Sequence, residues 1–128
     1  MNKAQALHQF WSSFSIPAID EQSAYDLKDD YLLSLGDTYI TYEAATDEIG
    51  QKVTLSGSIW DRSTSWKTVS LKADEIFNAI SYGGITIPYN GGMLWITRGT
   101  PFAQRTVVEE DYDYRRITLN INAEFLSA

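Results

Sequence analysis

The residue types able to do chemistry in this chain are few, and most lack the neighbours that chemistry needs. The single histidine, His8, falls on a short amphipathic segment with no oriented partner nearby in sequence, and general acid–base work needs one. It is expected to be structural or solvated. Asp29-Asp30 and Glu109-Glu110-Asp111 offer carboxylates of the kind that could act as an acid pair or hold a cation. Both fall in polar stretches that read as solvated loops. Tyr89-Asn90-Gly91-Gly92 lacks the Lys and the following helix of a phosphate loop, and no GxSxG elbow occurs. No catalytic residue, cofactor-binding residue or metal ligand is assigned, and the expectation is a protein that is not an enzyme.

Aromatic residues interleaved with arginines are more informative. Trp60, Trp66, Trp95, Tyr112 and Tyr114 lie at strand ends or in loops, close in sequence to Arg98, Arg105, Arg115 and Arg116. Trp, Tyr and Arg are enriched where proteins bury surface against each other. The candidate interface residues are Trp60, Arg62, Arg98, Arg105, Tyr112, Tyr114, Arg115 and Arg116. The alternative for the tryptophans is core packing. That is the expectation for Trp66, while Trp60, on the polar side of its strand, suits either a second packed layer or a subunit interface. Interleaved aromatics and arginines also line single-strand nucleic-acid grooves, but the acidic balance argues against that here.

The elements that must position these residues centre on Val53 to Tyr82. Val53, Leu55, Gly57 and Ile59 alternate with Thr54, Ser56, Ser58 and Trp60, the period of a half-buried strand. Ser63, Thr64 and Ser65 offer side-chain oxygens to a helix start. Trp66, Val69, Ala73, Ile76, Phe77 and Ile80 then form an apolar stripe, and Gly83-Gly84 ends the helix. A first helix over residues 3–14 carries Ala6, Leu7, Phe10, Trp11 and Phe14, and Pro17 closes it. Asp20 to Leu35 reads as a long docked loop with room for one helical turn.

Strands are expected at Thr38–Ala44, Val53–Arg62, Ile85–Ile87, Met93–Arg98, Gln104–Val108 and Arg116–Phe125. Thr46–Gln51 and Asn90-Gly91 serve as hairpin turns, and Gly99–Phe102 interrupts the pattern. Two helices, residues 3–14 and 64–82, should cover one face of a mainly antiparallel mixed sheet. Ile117, Leu119, Ile121 and Phe125 should face Val69, Ile76, Phe77 and Ile80. The fold class is α/β of the α+β type, in a single domain spanning 1–128.

Composition narrows the role. A chain of 128 residues with 44% hydrophobic residues can bury a core without staples. It has no cysteine, which excludes disulfides and thiolate metal sites. No apolar run has signal-peptide or membrane length, so no membrane association and cytoplasmic synthesis are expected. The net charge of −7 disfavours a grip on a nucleic-acid backbone.

The whole pattern resembles the tail terminator proteins of long-tailed bacteriophages, in the form found in phages of Gram-positive bacteria and often labelled minor capsid or neck proteins. The matching pieces are Lys3-Ala4-Gln5-Ala6-Leu7-His8-Gln9-Phe10-Trp11-Ser12-Ser13-Phe14, Tyr39-Ile40-Thr41-Tyr42-Glu43 and Ser58-Ile59-Trp60-Asp61-Arg62-Ser63 with Ser65-Trp66. Lys72-Ala73-Asp74-Glu75-Ile76, Ile87-Pro88-Tyr89 with Gly91-Gly92, and Arg98-Gly99-Thr100-Pro101-Phe102-Ala103-Gln104-Arg105 follow. Tyr114-Arg115-Arg116 before the last strand is similar, more distantly, to the lambda-type terminators. The region from Asp20 to Leu35 carries little of the match.

The resemblance implies a structural virion protein of the tail or neck, assembled in the cytoplasm of a bacterial host. It implies a homo-oligomeric ring, usually a hexamer, that caps the head-proximal end of the tail tube, ends tube polymerisation and docks the head-completion proteins. Its partners would be itself, the tail tube protein and a head-completion protein, with DNA passing through the lumen without specific binding. A ring needs two different patches that meet repeatedly, expected at Trp60–Ser65 on one side and Arg98–Arg116 on the other. The alternatives are another head–tail connector component, or a small carboxylate-based enzyme or ligand-binding module.

Overall fold

The computed structural model describes residues 1–26, 36–44, 52–106 and 114–127. The chain order is α1 (Lys3–Ser12), β1 (Ala18–Asp20), α2 (Glu21–Asp26), β2 (Thr38–Tyr42), β3 (Lys52–Arg62), α3 (Lys67–Ala79), β4 (Ile85–Tyr89), β5 (Gly92–Thr106) and β6 (Tyr114–Ser127). The strands form one sheet in the order β1-β2-β3-β6-β5-β4. β1 lies parallel to β2, and every other neighbouring pair is antiparallel. This is the mainly antiparallel mixed sheet of an α+β fold.

The core sits between that sheet and helices α1 and α3. In β6 the alternation is unbroken: Ile117, Leu119, Ile121, Ala123 and Phe125 are buried on the helix side, while Thr118, Asn120, Asn122 and Glu124 occupy the outer side. Period two therefore separates a packed face from a polar one. Helix α1 starts on a capping box, in which the Asn2 side chain accepts from Gln5 N at 2.8 Å and the Gln5 side chain accepts from Asn2 N at 2.9 Å. Two orphan amides are satisfied together. Its buried stripe is Ala6, Leu7, Phe10 and Trp11.

Several boundaries differ from the sequence expectation. Helix α1 stops at Ser12 rather than residue 14, yet Phe14 stays buried in the core cluster, and Lys72 Nζ donates to its carbonyl at 2.8 Å. Within the stretch from Asp20, expected as a docked loop with room for one helical turn, Glu21–Asp26 is the short helix α2; the strand Ala18–Asp20 before it was not expected, because a three-residue strand can add to β2 without any periodic signal of its own. Helix α3 begins at Lys67, and its cap residue Trp66 makes no side-chain capping bond. Ser63 Oγ accepts from Ser65 N, and Ser65 Oγ accepts from Lys67 N, the first amide of the helix, so Ser65 serves the helix start from one position before the cap. The helix ends at Ala79, with Ile80 extended, before the chain reaches Gly84 at φ +82°.

Phe77 is not a core residue: it is 38% exposed. Val69, Ala73, Ile76 and Ile80 take the centre of the stripe, which leaves Phe77 on its flank. β5 is one long strand where two were expected, with its pairing to β6 broken between Arg98 and Ala103. A bulge keeps the strand in the sheet while shifting its register. The Asn90-Gly91 hairpin joins β4 and β5 through the Tyr89↔Gly92 pair. Thr46–Gln51, Asp29-Asp30, Glu109-Glu110-Asp111 and Tyr112 lie outside the described residues.

Candidate interaction surface

On the side of β3 and β6 away from α1 and α3, one end of the sheet gathers aromatic rings and arginines. Cross-strand register sets the arrangement: Tyr39 pairs with Trp60, and Trp60 with Arg116. The Tyr39 and Trp60 rings stack at 6.2 Å, and Tyr114 meets Trp60 edge-on at 6.5 Å. The Arg116 guanidinium lies 4.6 Å from the Trp60 ring. Such cross-strand stacking and cation–π contacts hold flat side chains rigid before any partner arrives.

Hydrogen bonds fix the same group from below. Trp60 Nε1 donates to Thr41 Oγ1 at 2.9 Å, and Arg116 Nε donates to Ser58 Oγ at 3.0 Å. Ser58 is itself buried and lies 3.3 Å from Thr118 Oγ1. At the rim, Arg62 Nε and Nη2 both donate to the Tyr114 hydroxyl, at 3.1 and 2.8 Å. Trp60, Tyr114 and Arg116 are half-buried and Arg62 is exposed. The result is a preorganised platform of the residue types that dominate binding energy at interfaces.

The remaining candidates stand on the opposite side of the sheet, along the seam between α3 and β5. Arg105 lies 4.7 Å and Arg115 5.6 Å from the ring of Trp66, which packs against the core as expected. Arg98 sits 3.6 Å over the Phe77 ring, and its Nε donates to the Phe77 carbonyl at 3.1 Å. Phe77 in turn meets Phe102 edge-on at 5.3 Å.

The structure thus divides the eight candidates by strand parity. Trp60, Arg62, Tyr114 and Arg116 form the outer platform, Arg98, Arg105 and Arg115 line the helix-side seam, and Tyr112 lies outside the described residues. The two strips Trp60–Ser65 and Arg98–Arg116 are not far apart, because Trp60 and Arg116 are a register pair. Sequence reasoning missed Tyr39, Ser58, Phe77 and Phe102 as parts of these surfaces. Tyr39 was within reach: a hairpin between β2 and β3 opposes it to Trp60.

The groups able to titrate are arranged differently. His8 Nδ1 and the Tyr42 hydroxyl are 2.8 Å apart. Burial, with a smaller push from the Asp20 charge, raises the Tyr42 hydroxyl to about 12, which keeps it protonated at neutral pH and opposes its use as a base or nucleophile. At Asp20, burial works upward, but hydrogen bonds from Ser23 N and Oγ, both at 2.8 Å, win and hold the carboxyl low. Glu21 is raised by burial and by the neighbouring Glu43 charge, with Arg116 opposing. Among the described residues no group of three or more His, Cys, Asp or Glu is placed to hold a metal ion.

These features define a two-layer α+β domain that carries preformed interaction surfaces. No family model matches the chain, and no curated protein matches it. Among solved structures, the fold is similar to that of a chain in the virion of a native gene transfer agent particle. The TM-score is 0.56 at 19% identity, covering 96% of this chain and 93% of that one. At that identity the likeness establishes the shared fold.

Proposed function

We propose that this chain is a structural virion protein, a tail terminator: it caps the head-proximal end of a phage tail tube, stops the tube growing and offers the docking surface for the neck. The observation that carries this reading is the fold shared, over nearly the full length of both chains, with a component of a virion particle. The terminator-like sequence pattern across nearly the whole chain supports the same role. In this reading the protein acts as a ring, of six copies by the resemblance, contacting the tail tube protein below and a head-completion protein above.

The platform built on Trp60 and Arg116 suits such a role, since it is rigid before binding and needs no cofactor or turnover. The net charge of −7 suits a lumen through which DNA slides, since like charge discourages sticking. Another head–tail connector is the second reading, because the related chain is identified with the particle and not with a position along it. Purified protein added to tails lacking it tests the choice. A terminator restores head joining without substrate or cofactor, and appears in a virion map as a ring at the tube's upper end. A ring inside the head portal would favour the connector.

A further inference from the structure

Among the described residues, the sheet is electrically lopsided from edge to edge. Along the β1–β2 edge, residues 18–23 and 36–44 contain four acids (Asp20, Glu21, Asp37 and Glu43) and no Lys or Arg. Along the other edge, Ile85–Thr106 contains Arg98 and Arg105 and no acid. Among the described residues the only salt bridge is Lys72–Glu75, so Arg98 and Arg105 spend their charge on the rings of Phe77 and Trp66. β4 pairs only with Gly92–Ile96, and no described strand flanks the far half of β5. There Thr100, Pro101, Ala103, Gln104 and Arg105 are exposed. The bulge and Pro101 blunt that edge against backbone pairing, so contact there runs through side chains.

We propose that the Arg98–Arg105 seam between α3 and β5 is a lateral docking surface for the acidic β1–α2 edge of a second copy of this chain. The two patches sit at opposite edges of one sheet, so the contact is head-to-tail and leaves each copy with a free patch of either kind, the condition for a ring rather than a closed dimer. Glu21 is the natural partner for Arg105: it is exposed and lies beside a second acid, Glu43, with Arg116 of its own copy as the opposing charge. Closure of this contact into a ring rests on the terminator reading; the contact itself does not.

The chain has no cysteine, so introduced cysteines report cleanly. In the full chain at low salt, Gln22→Cys together with Ala103→Cys should give, on oxidation, a ladder of crosslinked species beyond dimer, while either cysteine alone gives none. Adding Arg105→Glu should lower the crosslinked fraction about tenfold, and adding Glu21→Arg to that variant should restore it. Circular dichroism of each variant confirms that it is folded. Absence of the ladder in folded double-cysteine protein, or a ladder indifferent to the charge reversal, overturns the proposal. Rings seen in virions without the 22–103 crosslink would remove this contact and leave the terminator reading standing. A charge-dependent ladder with tails of normal length in the absence of the gene would do the reverse.

Discussion

The indole of Trp11 lies directly on the backbone of Gly57: a Cβ placed there would fall 2.5 Å from Cη2 and 2.7 Å from Cζ2 of the ring. Helix α1 therefore docks on β3 only because position 57 has no side chain. Gly57→Ala should destabilise the fold by about 1–3 kcal/mol through overpacking, and Trp11→Ala by about 3–5 kcal/mol through the cavity it leaves. Urea titration checks both, with an unmoved midpoint for Gly57→Ala contradicting the close approach.

Ile76 and Phe77 are neighbours on α3 with opposite roles. Ile76 is fully buried, and truncation to Ala should cost about 2–5 kcal/mol. Phe77, 38% exposed and covered on one side by Arg98, should cost less on truncation, although the larger side chain is lost. The sequence periodicity alone expects the reverse, a core Phe77 worth about 3–5 kcal/mol. The order of the two denaturation midpoints decides.

How far the sequence could be read depends on how local each signal was. β6, α1 and the Asn90-Gly91 hairpin announce themselves within a few residues, through alternation, a helical stripe and a turn dipeptide. β1 does not: Ala18–Asp20 is defined by its parallel pairing with Ile40–Tyr42, a long-range contact. The flank position of Phe77 follows from where the sheet lies, since steps of three and four admit both Ile76 and Phe77 to one stripe. The candidate surface was legible as composition but not as geometry. Only strand register shows that Trp60 and Arg116 share one face while Arg105 and Arg115 share the other.

Tyr42 makes stability pH-dependent at the alkaline end. Its hydroxyl is raised to about 12 in the folded chain, above the ordinary tyrosine value near 10. The folded state thus holds the proton that the unfolded state releases. The contribution is intact below about pH 10 and is lost as pH rises toward about 12, a decline on the order of 1–3 kcal/mol. Urea midpoints at pH 9 and pH 11.5 should fall further for the wild type than for Tyr42→Phe. Equal falls would show that Tyr42 is not the group responsible.

On the outer platform, Arg116→Glu should abolish assembly into the virion while leaving the monomer folded, because it places an acid over Trp60 and beside Glu21. Trp60→Ala should weaken assembly for want of the anchoring ring. His8→Gln should leave assembly and head joining intact, since no proton transfer is asked of it. Incorporation into purified particles, measured beside circular dichroism of each variant, tests all three. A fully assembling Arg116→Glu would remove the platform from the interface.

Tail length reads directly whether this chain ends tail growth. A tube adds subunits for as long as its end remains open, and a cap works by covering that end. Electron microscopy of particles made without this gene should show tails overrunning their set length, with a broadened distribution, beside DNA-filled heads that carry no tail. Tails of normal, uniform length joined to heads in that strain would contradict the account.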